Sequence, residues 1–218
     1  MPKCAICKTK FHPQNSSLEK TCQNQECKFD YAMKVVEKNR KEKEKAAKQE
    51  WKAQKAVLTE SARKKSWYES QLEREVRTII RLIDKNCPCI ACGTYDTIRW
   101  DAGHYHSSGG SRYIRYHADN IFISCYTCNC RKGGNQTGMK LNIDRVFGSE
   151  YREKVDFYIL QTKPLHLSIP ELKDKIVIAR LLVKEFEAAE KMGVVLPRNA
   201  AQRLEMREYV NKRLEIYK

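Results

Sequence analysis

Eight of the ten cysteines stand in two sets of close pairs: Cys4-x2-Cys7 with Cys22-x4-Cys27, and Cys89-x2-Cys92 with Cys125-x2-Cys128 after a gap of 32 residues. The chain starts MPKCAICKTK, with no apolar signal region. Thiols this close in a reducing compartment read as metal ligands and not as disulfides. Each pair makes a tight knuckle, and two knuckles supply the tetrahedral thiolate set of a closed structural zinc site. A unit of about 30 residues buries too little apolar surface to fold alone, so a bound ion is expected to hold it together. Zn²⁺ is therefore expected at two structural sites, one on Cys4, Cys7, Cys22 and Cys27, the other on Cys89, Cys92, Cys125 and Cys128. Cys87 and Cys130 lie just outside the second set, and a register slipped onto either is the alternative there. His12 falls within the first set, which already has four thiolates.

Lys plus Arg number 42 against 27 Asp plus Glu in 218 residues, a formal charge of +15. Two four-thiolate zinc sites remove only about four of those charges. The chain stays basic, which points to a polyanion as partner and gives no sign of a small-molecule substrate. No run approaches the ~18 apolar residues of a membrane span, so neither membrane insertion nor secretion is expected, and the expected location is the cytoplasm. About half the excess charge lies in residues 34–65, which hold twelve basic and five acidic residues. Lys41, Lys45, Lys48 and Lys52 in this run are candidate phosphate contacts.

Residues 29–86 contain neither glycine nor proline and are rich in Lys, Glu, Ala and Gln, which favours helix. As one helix they would span about 87 Å. The apolar content is uneven. Residues 38–50 are almost wholly charged, whereas Leu72, Val76, Ile79 and Ile83 form an amphipathic stripe that should pack on something. A solvated basic helix leading into a docked one is the expectation. Residues 87–148 then bring glycines, histidines and two short β-like runs, Thr97–Trp100 and Asn120–Ile123. After residue 149 the pattern is helical again. Ser168 with Glu171 fits a capping box, Leu172, Ile176, Ala179, Val183 and Phe186 follow as a second stripe, Gly193 is a stop, and Arg198–Tyr217 reads as a last helix. The expected fold class is α+β, mainly helical, in four parts: a zinc-ribbon-like Cys4 unit (1–28), a long basic helical segment (29–86), a zinc-stapled core (87–148) and C-terminal helices (149–218).

Between and beside the second pair of knuckles the chain reads Trp100-Asp101-Ala102-Gly103-His104-Tyr105-His106, then Asp119-Asn120-Ile121, then Cys128-Asn129-Cys130-Arg131-Lys132-Gly133-Gly134-Asn135. A histidine ending one strand, an asparagine opening the next and a metal-capable side chain on the helix after the second knuckle are the ordered parts of the HNH, or ββα-metal, nucleases. With CAICKTKFHPQNSSLEKTC and CQNQEC near the start, CPCIACG, WDAGHY and CNCRKGGN, the chain resembles the NinG/Rap family of lambdoid phage recombination endonucleases from about residue 3 to about 150. It is more distantly similar to endonuclease VII-type junction resolvases, which likewise place Asn where many HNH enzymes have the last His.

The resemblance implies a metal-dependent endonuclease acting on branched DNA, such as Holliday junctions and D-loops, and leaving 5′-phosphate and 3′-hydroxyl ends. Carried onto this chain, His104 is the general base and Asn120 holds its loop. Asn129 and Asp101 ligate one Mg²⁺ or Mn²⁺, and Arg131 and Lys132 grip a neighbouring phosphate. Arg112 and Arg115, in the loop after the base, are further DNA contacts. Many relatives carry the acidic ligand immediately before the base, where this chain has Gly103. Strict strand alternation puts Asp101 and His104 on opposite faces. His106 is a substrate contact or ligand, His117 a hairpin residue and His166 a surface one. The rival reading is a non-catalytic, zinc-stapled DNA-binding protein, and RNA as substrate stays open. Because a junction is two-fold symmetric and one HNH site cuts one strand, a homodimer is expected, with the two apolar stripes as its surface. Their packing on each other within one chain is the alternative.

Overall fold

The computed structural model describes residues 1–160, 165–193 and 199–217. The described residues are mainly helical, with one two-stranded antiparallel sheet. Contacts divide the chain into two compact units, Met1–Arg63 and Lys64–Lys218.

In the first unit a cysteine-bearing loop leads into α1 (Gln25–Ser61). Asn24 starts the helix by accepting the Glu26 N–H at 2.7 Å, which satisfies one orphan donor of the first turn. Cys27 therefore sits on the helix and not in the loop before it. The loop is tied by a single antiparallel bridge, Lys3 to Lys10, so this part is a knuckle on a helix end and not a zinc ribbon. Along the rest of α1 no residue is buried. Lys41, Lys45, Lys48 and Lys52 are exposed at spacings of 4, 3 and 4, so they share one face. Phe29, Met33, Val36, Trp51 and Leu58 are exposed along another. The 58-residue stretch is not one helix. Near its break the Thr59 and Ser61 hydroxyls donate to the Lys55 and Leu58 carbonyls, competing with the backbone for those acceptors, and Lys64 is extended before α2 (Lys65–Ile83) begins.

The second unit continues with β1 (Trp100–His104), β2 (Ile121–Cys125), α3 (Gln136–Phe147), α4 (Ser149–Ile159), α5 (Ile169–Lys191) and α6 (Ala200–Leu214). The strand expected at Thr97–Trp100 starts only at Trp100. Thr97 Oγ1 accepts the Arg99 and Tyr126 N–H groups and donates to the Arg99 carbonyl, a local loop that replaces ladder pairing. The sheet register sets Asp101 opposite Ser124, Gly103 opposite Phe122 and His104 opposite Ile121, without a bulge. Ala102 and Ile121 join a core with Leu72, Val76, Ile79 and Ile83 of α2 and Leu172, Ile176, Ala179 and Phe186 of α5. Phe122 joins a second core with Cys89, Cys128, Met139, Ile143, Tyr151 and Val155. The two stripes proposed for a dimer surface thus meet each other inside one chain, with Val183 packed at the margin. Each fully buried Leu or Ile there contributes about 1.5–3 kcal/mol, more than exposure for a second copy would leave. The capping box of Ser168 and Glu171 starts α5, and Gly193 takes a left-handed φ of 78° just past its end. The expected start of the last helix at Arg198 lies outside the described residues; α6 is capped by Asn199, which accepts the Gln202 N–H at 2.8 Å.

One buried ionic cluster joins α6 to the sheet. Asp84, fully buried, accepts from Arg203 Nε at 2.9 Å, Arg207 Nη2 at 2.7 Å and the Ile123 N–H at 3.0 Å. Arg207 also donates to the Ile121 carbonyl at 3.2 Å and lies over Phe122. Burial alone would raise the Asp84 pKa, but the two guanidiniums hold it below the usual carboxylate range. Asp84→Ala strands two buried cations, and such a loss costs about 3–5 kcal/mol. Urea unfolding should show an unfolding free energy lower by that amount, read as a lower midpoint at unchanged slope, and an unchanged midpoint would mean the cluster is energetically idle.

Candidate functional site

Each expected thiolate set converges. The four Sγ atoms of Cys4, Cys7, Cys22 and Cys27 lie within 4.8 Å of one another, as do those of Cys89, Cys92, Cys125 and Cys128. Cys7 to Cys22 and Cys92 to Cys125 are both 3.8 Å. A tetrahedron with Zn–S bonds of 2.3 Å has edges of about 3.8 Å, so the donor sets fit zinc in number, chemistry and spacing. Cys87 is buried outside the sets. Cys130 is exposed, and its thiol lies 3.5 Å from Asp101 Oδ2. Among the described residues no third group of three or more His, Cys, Asp or Glu converges in this way.

The second knuckle ends β2 and turns the chain over the sheet. The Lys132 N–H donates to the Thr127 carbonyl at 2.9 Å, making Thr127–Arg131 a single wide i→i+5 turn, a device frequent at functional sites. Asn129 is therefore on this turn and not on the following helix. Gly133, Gly134 and Asn135 all have positive φ, which stops the turn from running on into α3. Asn129 Nδ2 donates to Asp101 Oδ2 at 3.1 Å. A Cβ built on Gly103 would lie 2.8 Å from Asn129 Oδ1 and 3.0 Å from Ser124 Oγ. A side chain there would have to push Asn129 aside, and Asp101, two residues earlier on the same face, is the carboxylate that reaches the amide. Arg99 holds that carboxylate through Nε at 2.9 Å and Nη2 at 3.1 Å. Burial works against the charge, but the bonds from Arg99 and Asn129 keep the Asp101 pKa low. Ser124 Oγ is buried with no hydrogen-bond partner among the described residues.

His104 turns to the other side of β1, towards α2. Its Nε2 lies 2.9 Å from the Arg115 carbonyl. A carbonyl only accepts, so Nε2 carries the proton and Nδ1 keeps its lone pair. Burial pushes the His104 pKa below the ordinary value, partly offset by the bond to Arg115, so the ring is neutral at pH 7. Asn120, fully buried, closes the loop between the strands. Its Oδ1 accepts the His106 N–H at 2.8 Å and its Nδ2 donates to the His106 carbonyl at 2.9 Å.

The remaining candidates are spread out. Arg131 and Lys132 are exposed beside Asn129, with Arg131 over the Tyr126 ring. Arg112 is exposed, whereas Arg115 is held by Glu73 at 2.7 Å and is not a free cation. His106 pairs with Asp156 of α4 at 2.7 Å, and Arg152 links Asp156 to Asp144. His117 lies in the connection of the β1–β2 hairpin. It is buried between Tyr158 and Tyr217, and burial lowers its pKa to about 4. His166 is exposed. Sequence reasoning missed Arg99, Asp156 and Ser124; the alternation of Arg99 and Asp101 was the one local signal available.

The family profile described as Bacteriophage Lambda NinG protein matches residues 1–190. The chain belongs to the NinG family. It is 30% identical over 164 residues to Protein ninG of Escherichia phage 933W, covering 71% of this chain and 79% of that one. Protein ninG of Enterobacteria phage H19B is 29% identical over 169 residues, with the same shares. Protein ninG of Escherichia phage lambda is 32% identical over 92 residues, 42% of this chain and 45% of that one. No solved structure matches. Both cysteine sets and the His104–Asn129 region lie inside the NinG match, and α6 lies beyond it. No described helix of this NinG chain is long and apolar enough to cross a membrane.

Proposed function

We propose that this NinG-family chain is a metal-dependent endonuclease that cuts branched DNA, such as Holliday junctions and D-loops, during phage recombination, leaving 5′-phosphate and 3′-hydroxyl ends. The observation that carries the reading is the state of His104. It is neutral, with its proton committed to the Arg115 carbonyl and Nδ1 left to accept one, although the ring lies on the face of β1 opposite Asp101 and Asn129. A neutral imidazole fixed in one tautomer is what a general base for an attacking water requires. Asn120 keeps the loop after His104 in place. Asp101 and Asn129 would hold Mg²⁺ or Mn²⁺, a hard donor pair for an ion that keeps several waters, and the unpartnered Ser124 hydroxyl beside them is an oxygen free to bond such a water. When bound, the ion would supply charge neutralisation at the scissile phosphate and the leaving oxygen. Arg131, Lys132 and Arg112 would bind neighbouring phosphates. Two opposed nicks need two such sites, so a two-copy complex on a junction belongs to the proposal, without the α2 and α5 stripes as its surface. Sedimentation equilibrium on the junction complex tests it.

The decisive assay incubates the zinc-loaded protein with labelled four-way junction, D-loop and plain duplex DNA, in Mg²⁺ and in EDTA. Metal-dependent cutting of the branched forms is expected. Binding without cleavage in Mg²⁺ and in Mn²⁺ would leave a DNA-binding protein. The exposed lysine face of α1 supports a large share of non-specific affinity under either outcome. Contact with four phosphates adds about −3.6 to the log–log salt slope. Reversing Lys41, Lys45, Lys48 and Lys52 to Glu should weaken binding to every DNA shape and flatten the slope by about that amount. An unchanged slope would make this face merely solvated.

A further inference from the structure

The peptide group between Arg115 and Tyr116 is held from both sides. Its carbonyl accepts His104 Nε2–H at 2.9 Å, and its N–H donates to the Tyr217 hydroxyl oxygen at 3.0 Å. Tyr217 is well placed for this. Its ring lies edge-on to Tyr113 at 5.5 Å and against His117 at 4.7 Å, and burial keeps its hydroxyl protonated. The same C-terminal segment grips the loop twice more. Asn211 Oδ1 accepts the Ala118 N–H at 2.9 Å, and Arg207 donates to the Ile121 carbonyl. All three residues lie beyond residue 190, where the family profile ends.

We infer that Tyr217 is a positioning residue for His104, acting through the Arg115–Tyr116 peptide to fix the imidazole tautomer and orientation. The inference concerns the hydrogen-bond chain itself; its effect on cleavage rests on the function proposed above. The physical reason is twofold. A peptide whose N–H is engaged cannot rotate freely, so its carbonyl stays aimed at Nε2. Hydrogen bonds in series also polarise one another, which makes that carbonyl a better acceptor and Nδ1 a better base. Without the Tyr217 oxygen, the Tyr116 N–H is left buried and unpaired, and the peptide is free to turn away.

The test is Tyr217→Phe in the full chain, which keeps the ring packing and removes only the oxygen. Circular dichroism and zinc content should match the parent. The readout is the ¹⁵N spectrum of the His104 ring at fixed pH without DNA. In the parent the two nitrogens should be well separated, with Nε2 protonated. In Tyr217→Phe they should move towards each other as the tautomers mix. For cleavage of the four-way junction, kcat should fall roughly tenfold, as the base is held less closely in its working tautomer and orientation, with KM unchanged. An unchanged His104 spectrum in a folded variant overturns the inference. If Tyr217→Phe fails to fold, 3-fluorotyrosine at 217 decides, read at a pH well below its phenol pKa, since it keeps ring and protonated hydroxyl and makes the oxygen a weaker acceptor for the Tyr116 N–H. A graded shift of the His104 nitrogens supports the link, and no shift refutes it. A parent protein that cuts no DNA would sink the nuclease reading while leaving the spectrum to decide this one.

Discussion

Cys125→Ser is expected to unfold the unit that begins at Lys64. Cys125 closes β2, its Sγ lies 3.8 Å from that of Cys92 and it accepts the Cys128 N–H at 3.4 Å. Cys89, Cys125 and Cys128 are also members of the apolar cluster that holds Phe122, Met139 and Ile143. The ion would therefore join the loop after α2, the sheet and the turn carrying Asn129 at one point. Structural zinc contributes about 10–16 kcal/mol of binding free energy, whereas a whole domain has a net stability of only about 5–15 kcal/mol. Serine offers no thiolate and cannot replace the fourth bond. Metal analysis of the parent should give two zinc ions per chain, and Cys125→Ser should give one, with the cooperative thermal transition of the larger unit lost. Cys22→Ser should also give one zinc yet spare that transition, because contacts separate the two units at residue 63. Cys130→Ser, outside both sets, should keep both ions. Two zinc ions and a parental melting curve in Cys125→Ser would refute the second site.

The other large effect is expected at His104. For the function proposed above, His104→Ala should lower single-turnover cleavage of a four-way junction by about 10²–10⁴-fold, the usual cost of losing a general base. Binding of the junction should change little, because the ring is buried and uncharged and its Nε2 is spent on a backbone carbonyl. Burial places its pKa below the ordinary value, so the base form is already present at pH 7 and the parental rate should gain little from a moderate rise in pH. Asn129→Ala should also be severe and partly restored by more Mg²⁺ or Mn²⁺. Gly103→Ala should behave like a lesion at Asn129, since its methyl group would meet the Asn129 Oδ1 at 2.8 Å. Cleavage by His104→Ala at the parental rate would remove His104 from the mechanism.

Local patterns were legible wherever the chemistry is local. Thiols two to four residues apart share an ion whatever the fold, so both zinc sets could be read from spacing, and the structure brings each within 4.8 Å. The breaker-free run and its charge announced an exposed helix, because a stretch without apolar residues has nothing to bury. Ser168 and Glu171 form the capping box expected of them, since a cap is decided within four residues. The order His104, Asn120, Asn129 was also visible, though not what each side chain touches.

Side chains that find partners across the fold were not legible. Arg115 looked like a free cation until Glu73, 42 residues earlier, was seen to hold it. The stripes on α2 and α5 were equally suited to a second copy or to each other, and periodicity marks an apolar face without naming its partner. His106 reads in sequence as a substrate contact or ligand and His117 as a hairpin residue, yet one pairs with Asp156 and the other is buried against Tyr158 and Tyr217. Asp84 lies more than 100 residues before Arg203 and Arg207, and the three become one ionic cluster only because α6 docks on the sheet. Tyr217 reaches the His104 loop by the same docking. Sequence by itself determined which residues bear thiolate, charge or apolar surface, because those properties belong to the side chain. Tertiary structure decided which groups meet, and so which are neutral, paired or free to react, because desolvation and hydrogen bonding depend on neighbours that the chain order does not name.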